Sequence, residues 1–177
     1  MATTSDTGLE IVRAAPSDEG TVELIVRRPA VDEREVVDEA QLDLHEGLVG
    51  DNWRARGRSG GRREANLDAQ LTVMSSRAIA LAAGDRDRWP LAGDQLFLDL
   101  DLSGANLPPG TRLEIGSAVI EVTAEPHTGC KKFAARFGLE TLEVFNSPDG
   151  RALNLRGINT RVVVPGTVRV GDVARKL

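Results

Sequence analysis

The single cysteine of the sequence, Cys130, has neighbours that can activate a thiol. It lies in the segment Pro126-His127-Thr128-Gly129-Cys130-Lys131-Lys132, after an expected strand and at the start of an expected helix. Free backbone N–H groups at a helix start favour an anion, and Lys131 and Lys132 add positive charge. We therefore expect Cys130 to act as a thiolate nucleophile or a soft metal ligand. The alternative is an inert, buried cysteine.

His127 lies three residues before Cys130 and is one of two histidines in the chain. Histidine can serve as a base or hydrogen-bond partner for a thiol, so we assign His127 a catalytic role beside Cys130. The alternative is a polar residue on a turn. A structural zinc site needs more cysteine and histidine ligands than the one cysteine and two histidines of this chain, so we do not expect one.

A basic, glycine-containing loop is the second candidate site. It holds five arginines within ten residues: Arg54, Arg56, Arg58, Arg62 and Arg63. Forked guanidinium groups bind phosphate in bidentate fashion, and glycines let main-chain N–H groups approach an anion. We expect a phosphorylated or otherwise anionic small molecule as the ligand; the alternative is a solvated, flexible loop. The loop lacks the Gly-Lys-Ser/Thr ending of a Walker A motif, which excludes nucleotide binding by that route.

Charge and hydropathy limit the classes of partner. The net charge of -5 argues against general binding of nucleic acid or of a membrane surface. No apolar run approaches the roughly 20 residues that span a bilayer, and the first residues are polar, so we expect a cytoplasmic protein. The length of 177 residues is typical of one domain, which we expect to cover residues 1–177.

Most of the elements expected to position these residues are strands. Alternating or branched apolar residues predict strands at residues 9–12, 21–26, 35–44, 71–74 and 96–100, with the first two forming a hairpin. Residues 112–115 and 118–122 flank Gly116-Ser117 and predict a second hairpin. A similar unit is expected where residues 162–164 and 168–170 flank Pro165-Gly166.

Short helices complete the expected set of elements. Ser75 or Ser76 can cap a helix that ends at Gly84, and residues 131–145 predict two more short helices. Residues 45–61 are expected to form a loop. Strands and helices do not alternate regularly, which disfavours a doubly wound parallel sheet. The predicted fold class is mainly β, a closed or nearly closed β-barrel with two or three short helices.

About residues 40–173 resemble the MOSC (molybdenum cofactor sulfurase C-terminal) domain family. Gly93-Asp94-Gln95-Leu96 is similar to the Gly-Glu-Asn-Leu element of that family, and Cys130 matches its strand-end cysteine. Gly50-Asp51 resembles the early Gly-Asp of the family, and residues 162–172 resemble its closing strands. Ser59 in place of His, among other departures, marks a divergent, bacterial-type stand-alone member.

The resemblance implies a β-barrel and chemistry associated with the molybdenum cofactor. Cys130 would carry sulfur as a persulfide or ligate molybdenum, in a cofactor-dependent oxidoreductase or a sulfurtransferase that meets a sulfur-donor or redox partner protein. The family is also associated with pyridoxal phosphate binding. The residues that would hold the phosphorylated pterin are the five loop arginines with Asp94, Gln95 and Lys131.

The sequence is also compatible with two other functions. One is a non-catalytic module that binds a phosphorylated small molecule or a partner protein through the arginine loop. The other is cofactor-free thiol catalysis in which His127 is the base for Cys130.

Overall fold

The computed structural model describes residues 4–59 and 64–177, with side chains described for residues 6–57 and 64–177. The strands are β1 (Glu19–Arg27), β2 (Glu35–Val37), β3 (Glu39–Asp43), β4 (Gly47–Leu48), β5 (Leu71–Ser75), β6 (Leu96–Asp99), β7 (Arg112–Ile115), β8 (Ala118–Val122), β9 (Ile158–Val164), β10 (Gly166–Arg169) and β11 (Val173–Lys176). The α-helices are α1 (Thr4–Arg13), α2 (Trp53–Ser59), α3 (Ser76–Ala83), α4 (Lys131–Phe137), α5 (Leu139–Asn146) and α6 (Pro148–Ala152). Short 3₁₀ helices span Leu67–Ala69 and Arg86–Ala92.

Strand pairing closes a barrel. The order β11-β7-β8-β9-β5-β6-β1 is completed by a ladder between β1 and β11, so seven of the described strands form a ring, and β2 extends it beside β1. β5 and β6 run parallel, which the 3₁₀ helix and α3 between them make possible. A small second sheet, β10-β3-β4, lies beside the barrel. The predicted mainly β barrel is confirmed, with more short helices than expected.

Alternation along the strands divides the apolar residues into two cores. On β6, Leu96 and Leu98 point into the barrel, whereas Phe97 points outward. Phe97 packs there with Phe133 of α4 and Phe145 of α5 in a cluster under the helices. The outer cluster therefore fixes α4 and α5 against one side of the barrel.

Several predicted elements are confirmed. The hairpin of β7 and β8 pairs Ile115 with Ala118, and Gly116 adopts the positive φ that the tight turn requires. Ser75 caps α3 by accepting a hydrogen bond from the N–H of Ala78, and the helix ends at Gly84. Residues 131–145 form two helices, α4 and α5, separated by Gly138.

Other predicted elements were wrong. Residues 9–12 belong to helix α1, because Leu9 and Val12 lie three residues apart on one buried helix face. Residues 162–164 and 168–170 are not paired as a hairpin: after Pro165 the chain leaves β9 and pairs as β10 with β3. The extended segment 35–44 is divided at Asp38 into β2 and β3, which belong to different sheets.

The predicted loop at residues 45–61 also has more structure than expected. It contains β4, which pairs with β3, and helix α2, which buries Trp53. No helix in the described part of the chain is long and apolar enough to cross a membrane.

Candidate anion and thiol site

A cavity of about 400 Å³ lies beside the ends of β1, β5, β8 and β9, bordered by α4. Basic residues dominate its described lining: Arg28, Arg34, Arg56, Lys132, Arg136 and Arg156. Two acidic residues, Asp32 and Glu125, are among the described lining residues, and Cys130 and His127 also line the cavity. The cavity thus combines a thiol, an imidazole and an excess of positive charge.

The arginines of the cavity act on one another electrostatically. Burial and the charges of Arg136 and Arg28 lower the pKa of Arg34. Burial and the charge of Arg28 also lower the pKa of Arg56. Guanidinium groups stay charged at neutral pH despite such shifts. The crowded cations therefore create a positive potential that an anionic ligand would relieve.

Arg28 is held by a buried carboxylate. Asp51, whose side chain is fully buried, accepts hydrogen bonds from Arg28 Nε at 2.9 Å and Nη2 at 2.8 Å. The same carboxylate accepts the backbone N–H groups of Arg28 and Trp53. Asp51 thus ties the end of β1 to the start of α2 and fixes one wall of the cavity.

Asp94 holds two groups that line the cavity. Its carboxylate is fully buried, lies 2.9 Å from His127 Nε2 and forms an ion pair with Arg156. Burial raises the pKa of Asp94, but the charges of Arg156 and His127 and their hydrogen bonds lower it more, to about 2. Asp94 is therefore ionised at neutral pH and orients His127 and Arg156 from behind the cavity wall.

The segment that carries Cys130 has no regular secondary structure and is fixed by side-chain amides. Asn146 of α5 brackets Gly129, accepting its N–H at 3.1 Å and donating to its carbonyl at 3.2 Å. Asn159 of β9 donates to the carbonyls of Glu125 and Pro126, both at 3.2 Å. A side chain at Gly129 would collide with Leu142, so the glycine allows this close approach to α5.

The environment of Cys130 favours its thiolate. Partial burial raises the pKa of the thiol, but the N–H groups of Phe133 and Lys132 and the charges of Arg156 and Arg136 lower it below its ordinary value. The cysteine itself is exposed. An accessible thiolate at the edge of a positive cavity can attack an electrophile or ligate a soft metal.

Several predicted site residues come together here. Cys130, His127 and Arg56 line the cavity, and Asp94 supports it from behind. The imidazole Nε2 pairs with Asp94, and within residues 6–57 and 64–177 no hydrogen bond joins His127 to Cys130. Gln95 is buried and absent from the described lining, and its Oε1 accepts hydrogen bonds from the N–H and hydroxyl of Thr72, which lines the cavity.

The other predicted cofactor residues lie elsewhere or outside the described structure. Arg54 is exposed, pairs with Glu46 and borders a separate, smaller cavity beside Trp53. Lys131 is exposed and is absent from the described lining, where Lys132 is present instead. Arg62, Arg63 and the side chain of Arg58 lie outside the described residues.

Four cavity arginines were missed by the sequence analysis: Arg28, Arg34, Arg136 and Arg156. They lie in three separate parts of the chain, and two of them, Arg28 and Arg34, share the connection between β1 and β2. Arg28 follows β1, Arg136 is on α4, and the other two precede β2 and β9. No local motif connects them, so only the folded arrangement could reveal the cluster.

No group of three or more His, Cys, Asp or Glu side chains in the described residues is arranged to hold a metal ion. The site does not therefore resemble a metal centre built from protein ligands alone. Cys130 can supply one soft donor, and any metal there would need further donors from a bound molecule.

Comparison with protein families decides the assignment, since a MOSC domain profile matches residues 60–175. The chain belongs to the MOSC family. The match includes Asp94, His127, Cys130 and Arg156. A search of curated proteins finds no match.

Solved structures support the MOSC fold. YuaD from Bacillus subtilis is 20% identical over 88% of this chain and 94% of its own, with a TM-score of 0.61. YiiM from Escherichia coli is 19% identical over 89% of this chain and 69% of its own, with a TM-score of 0.56. YiiM from Geobacillus stearothermophilus is 15% identical over 89% of this chain and 73% of its own, with a TM-score of 0.53. The MOSC barrel is thus shared at low sequence identity.

Proposed function

We propose that this MOSC protein binds the molybdenum cofactor in the arginine-lined cavity, with Cys130 as the protein ligand to molybdenum. One observation carries the proposal: an accessible thiol with a lowered pKa opens onto a cavity whose described lining includes five arginines. A soft thiolate suits molybdenum, and guanidinium groups suit the phosphate of the pterin.

The residues present fit such a group. Two cavity residues have buried polar atoms without a hydrogen-bond partner in the described structure: Oδ1 of Asn52, an acceptor, and Nε of Arg156, a donor. Burying such atoms unpaired is unfavourable, so a ligand with both donors and acceptors would be favoured. A pterin has both kinds of group on its ring edges. Arg34 and the neighbouring arginines would bind the phosphate of the pterin through their positive charge.

The protein's own residues would bind and orient the ligand. Arg34 and Arg56 would hold the anionic end, while His127 and Arg156, fixed by Asp94, would face the end near Cys130. The bound cofactor would supply two-electron redox chemistry at molybdenum. Pyridoxal phosphate could use the same arginines through its phosphate, but it would leave the thiol of Cys130 without a role.

The exposure of Cys130 supports a second candidate, a sulfur carrier. In this function the thiolate attacks the outer sulfur of a persulfide on a donor protein. The S–S bond of the donor breaks, the outer sulfur and its proton move to Cys130, and the donor leaves as a thiolate. The positive cavity would stabilise the anionic form of the new persulfide.

Replacement of a cavity arginine tests the cofactor proposal. Arg34→Gln is expected to weaken cofactor binding by about tenfold, because one charge-assisted phosphate contact contributes roughly 1.5 kcal/mol. The molybdenum content of protein purified from cells with intact cofactor synthesis should fall accordingly. Elemental analysis of molybdenum and phosphorus measures the loss. Arg34 forms no ion pair with the described carboxylates, so its replacement leaves no buried carboxylate unpaired.

Arg54→Gln is the matched control. Arg54 lies on the separate cavity and should leave the molybdenum content unchanged. Equal loss in both variants, or no loss in Arg34→Gln, would contradict binding in the arginine-lined cavity.

A further inference from the structure

Four arginines of the cavity are held by four consecutive backbone carbonyls. Arg34 Nε donates to Pro90 O at 3.0 Å, and Arg136 Nη1 donates to Leu91 O at 2.7 Å. Arg156 Nη2 donates to Ala92 O at 2.9 Å, and Arg28 Nη1 donates to Gly93 O at 3.0 Å. The segment 90–93 is thus the common anchor of four arginines that come from three separate parts of the chain.

The anchoring carbonyls themselves add no full negative charge to the cavity. A carbonyl is a neutral acceptor, so it fixes a guanidinium without cancelling its charge. The buried carboxylates of Asp51 and Asp94 compensate Arg28 and Arg156, whereas Arg34 pairs with none of the described carboxylates. These carbonyls belong to the last residues of the 3₁₀ helix Arg86–Ala92 and to Gly93 after it, where carbonyl groups carry partial negative charge; Pro90 O also accepts the N–H of Gly93. The carbonyls therefore hold the arginines close together against their mutual repulsion.

The next residue continues the pattern. Asp94 holds His127, which belongs to the Cys130 segment, and Arg156. Five consecutive residues, 90–94, thus anchor four arginines and one histidine. Two of those arginines, Arg156 and Arg136, act electrostatically on Cys130.

We propose that the segment 90–94 is a positioning element that pre-organises the arginine cluster and thereby sets the electrostatic potential at Cys130. Its residues act through the arginines and not by touching a ligand. The proposal deepens the proposed function, because a pre-organised cluster would receive an anionic ligand without rearrangement. The potential itself exists in the protein whether or not that ligand is the molybdenum cofactor.

Gly93 offers a way to disturb the anchor. It has φ +84, and a Cβ there would lie 3.4 Å from Arg34 Nη2 and 3.9 Å from Arg136 Nη1. Asparagine tolerates this backbone conformation, and its amide would extend into the space of the two guanidinium groups. Gly171 is the matched control, with φ +92 and no atom within 4 Å of its Cβ position.

The reactivity of the single cysteine towards two reagents measures the potential. Iodoacetate is anionic and iodoacetamide is neutral, and both alkylate the same thiolate, so the ratio of their rates reports the local potential independently of thiol ionisation. In the full-length purified protein, Gly93→Asn is expected to lower this ratio by about fivefold, the effect of displacing one unit charge near a partly solvated thiolate. Gly171→Asn should keep the wild-type ratio.

Arg136→Lys keeps the charge but removes the planar fork that reaches Leu91 O. If the segment 90–94 positions the arginines, the ratio of alkylation rates in Arg136→Lys should fall towards that in Arg136→Gln. Arg136→Lys tests the proposal if Gly93→Asn does not fold. Wild-type ratios in both Gly93→Asn and Arg136→Lys would overturn the proposal. Absence of molybdenum from the wild-type protein would count against the cofactor alone and would not change these ratios.

Discussion

Replacement of Asp94 with asparagine is expected to lower the free energy of unfolding by about 3 kcal/mol at neutral pH. The carboxylate is fully buried and compensates the charge of Arg156, while it also holds His127 at 2.9 Å. Asparagine keeps the shape but removes the charge, so Arg156 would remain in a largely buried place without its counter-ion. Denaturation by urea, followed by circular dichroism, measures the loss.

The effect of Asp94 should depend on pH in a defined direction. The pKa of Asp94 is lowered from 3.8 to about 2 in the folded protein, so the ionised carboxylate stabilises the fold above pH 3.8. This contribution, on the order of 2 kcal/mol, is lost as the pH falls through the interval from 3.8 to about 2. The difference in stability between the wild type and Asp94→Asn should therefore narrow in that interval.

Asp99→Asn is the control for Asp94→Asn. Asp99 pairs with Arg77 at 2.7 Å, but both side chains are partly exposed, so its loss should cost no more than about 1 kcal/mol. If Asp94→Asn were no more destabilising than Asp99→Asn, the buried carboxylate would not be compensating Arg156.

Replacement of Asp51 with asparagine is expected to have a destabilising effect of similar size, about 3 kcal/mol. Its fully buried carboxylate accepts hydrogen bonds from two nitrogens of the Arg28 side chain and from two backbone N–H groups. An amide has one acceptor oxygen, so it cannot satisfy this set of donors. Arg28 would be left buried without its counter-ion.

Asp51→Asn should also disturb the cavity. Added inorganic phosphate should occupy the cavity and slow the alkylation of Cys130. Arg28 reaches Gly93 O while Asp51 holds it, so the release of Arg28 should weaken this protective effect of phosphate. Asp32→Asn is the control for the stability measurement, because Asp32 lines the cavity but its side chain is exposed and lies 3.6 Å from Arg136. It should change the free energy of unfolding by less than about 1 kcal/mol. Equal stabilities of the two variants would rule out this role of Asp51.

Local sequence was sufficient to predict much of the barrel and the start of a helix beside Cys130. The setting of Cys130, after a strand and before a helix, was visible in its neighbours, and the hairpin of β7 and β8 followed from alternation around Gly116. The first predicted strand failed because Leu9 and Val12 fit a helix face as well as a short strand. A short apolar segment alone does not show whether it forms a helix or a strand.

The cavity was less predictable, because distant parts of the chain build it. The density of arginines at residues 54–63 predicts an anion site in that loop. In the described structure, however, Arg54 pairs with Glu46, and Arg56 is the loop arginine that lines the cavity. Asp94 and Gln95 are both predicted to bind the cofactor, but Asp94 holds His127, whereas Gln95 accepts hydrogen bonds from Thr72.

The most direct test of the proposed function is the content of molybdenum and of added sulfur in the wild-type protein and in Cys130→Ser, both purified from cells with intact cofactor synthesis. X-ray absorption at the molybdenum edge and intact-mass spectrometry give the two readings. We expect molybdenum in the wild type with a sulfur ligand that Cys130→Ser lacks, or the added mass of one sulfur atom on Cys130. Wild-type protein that carries neither, from cells shown to contain the cofactor, would contradict it.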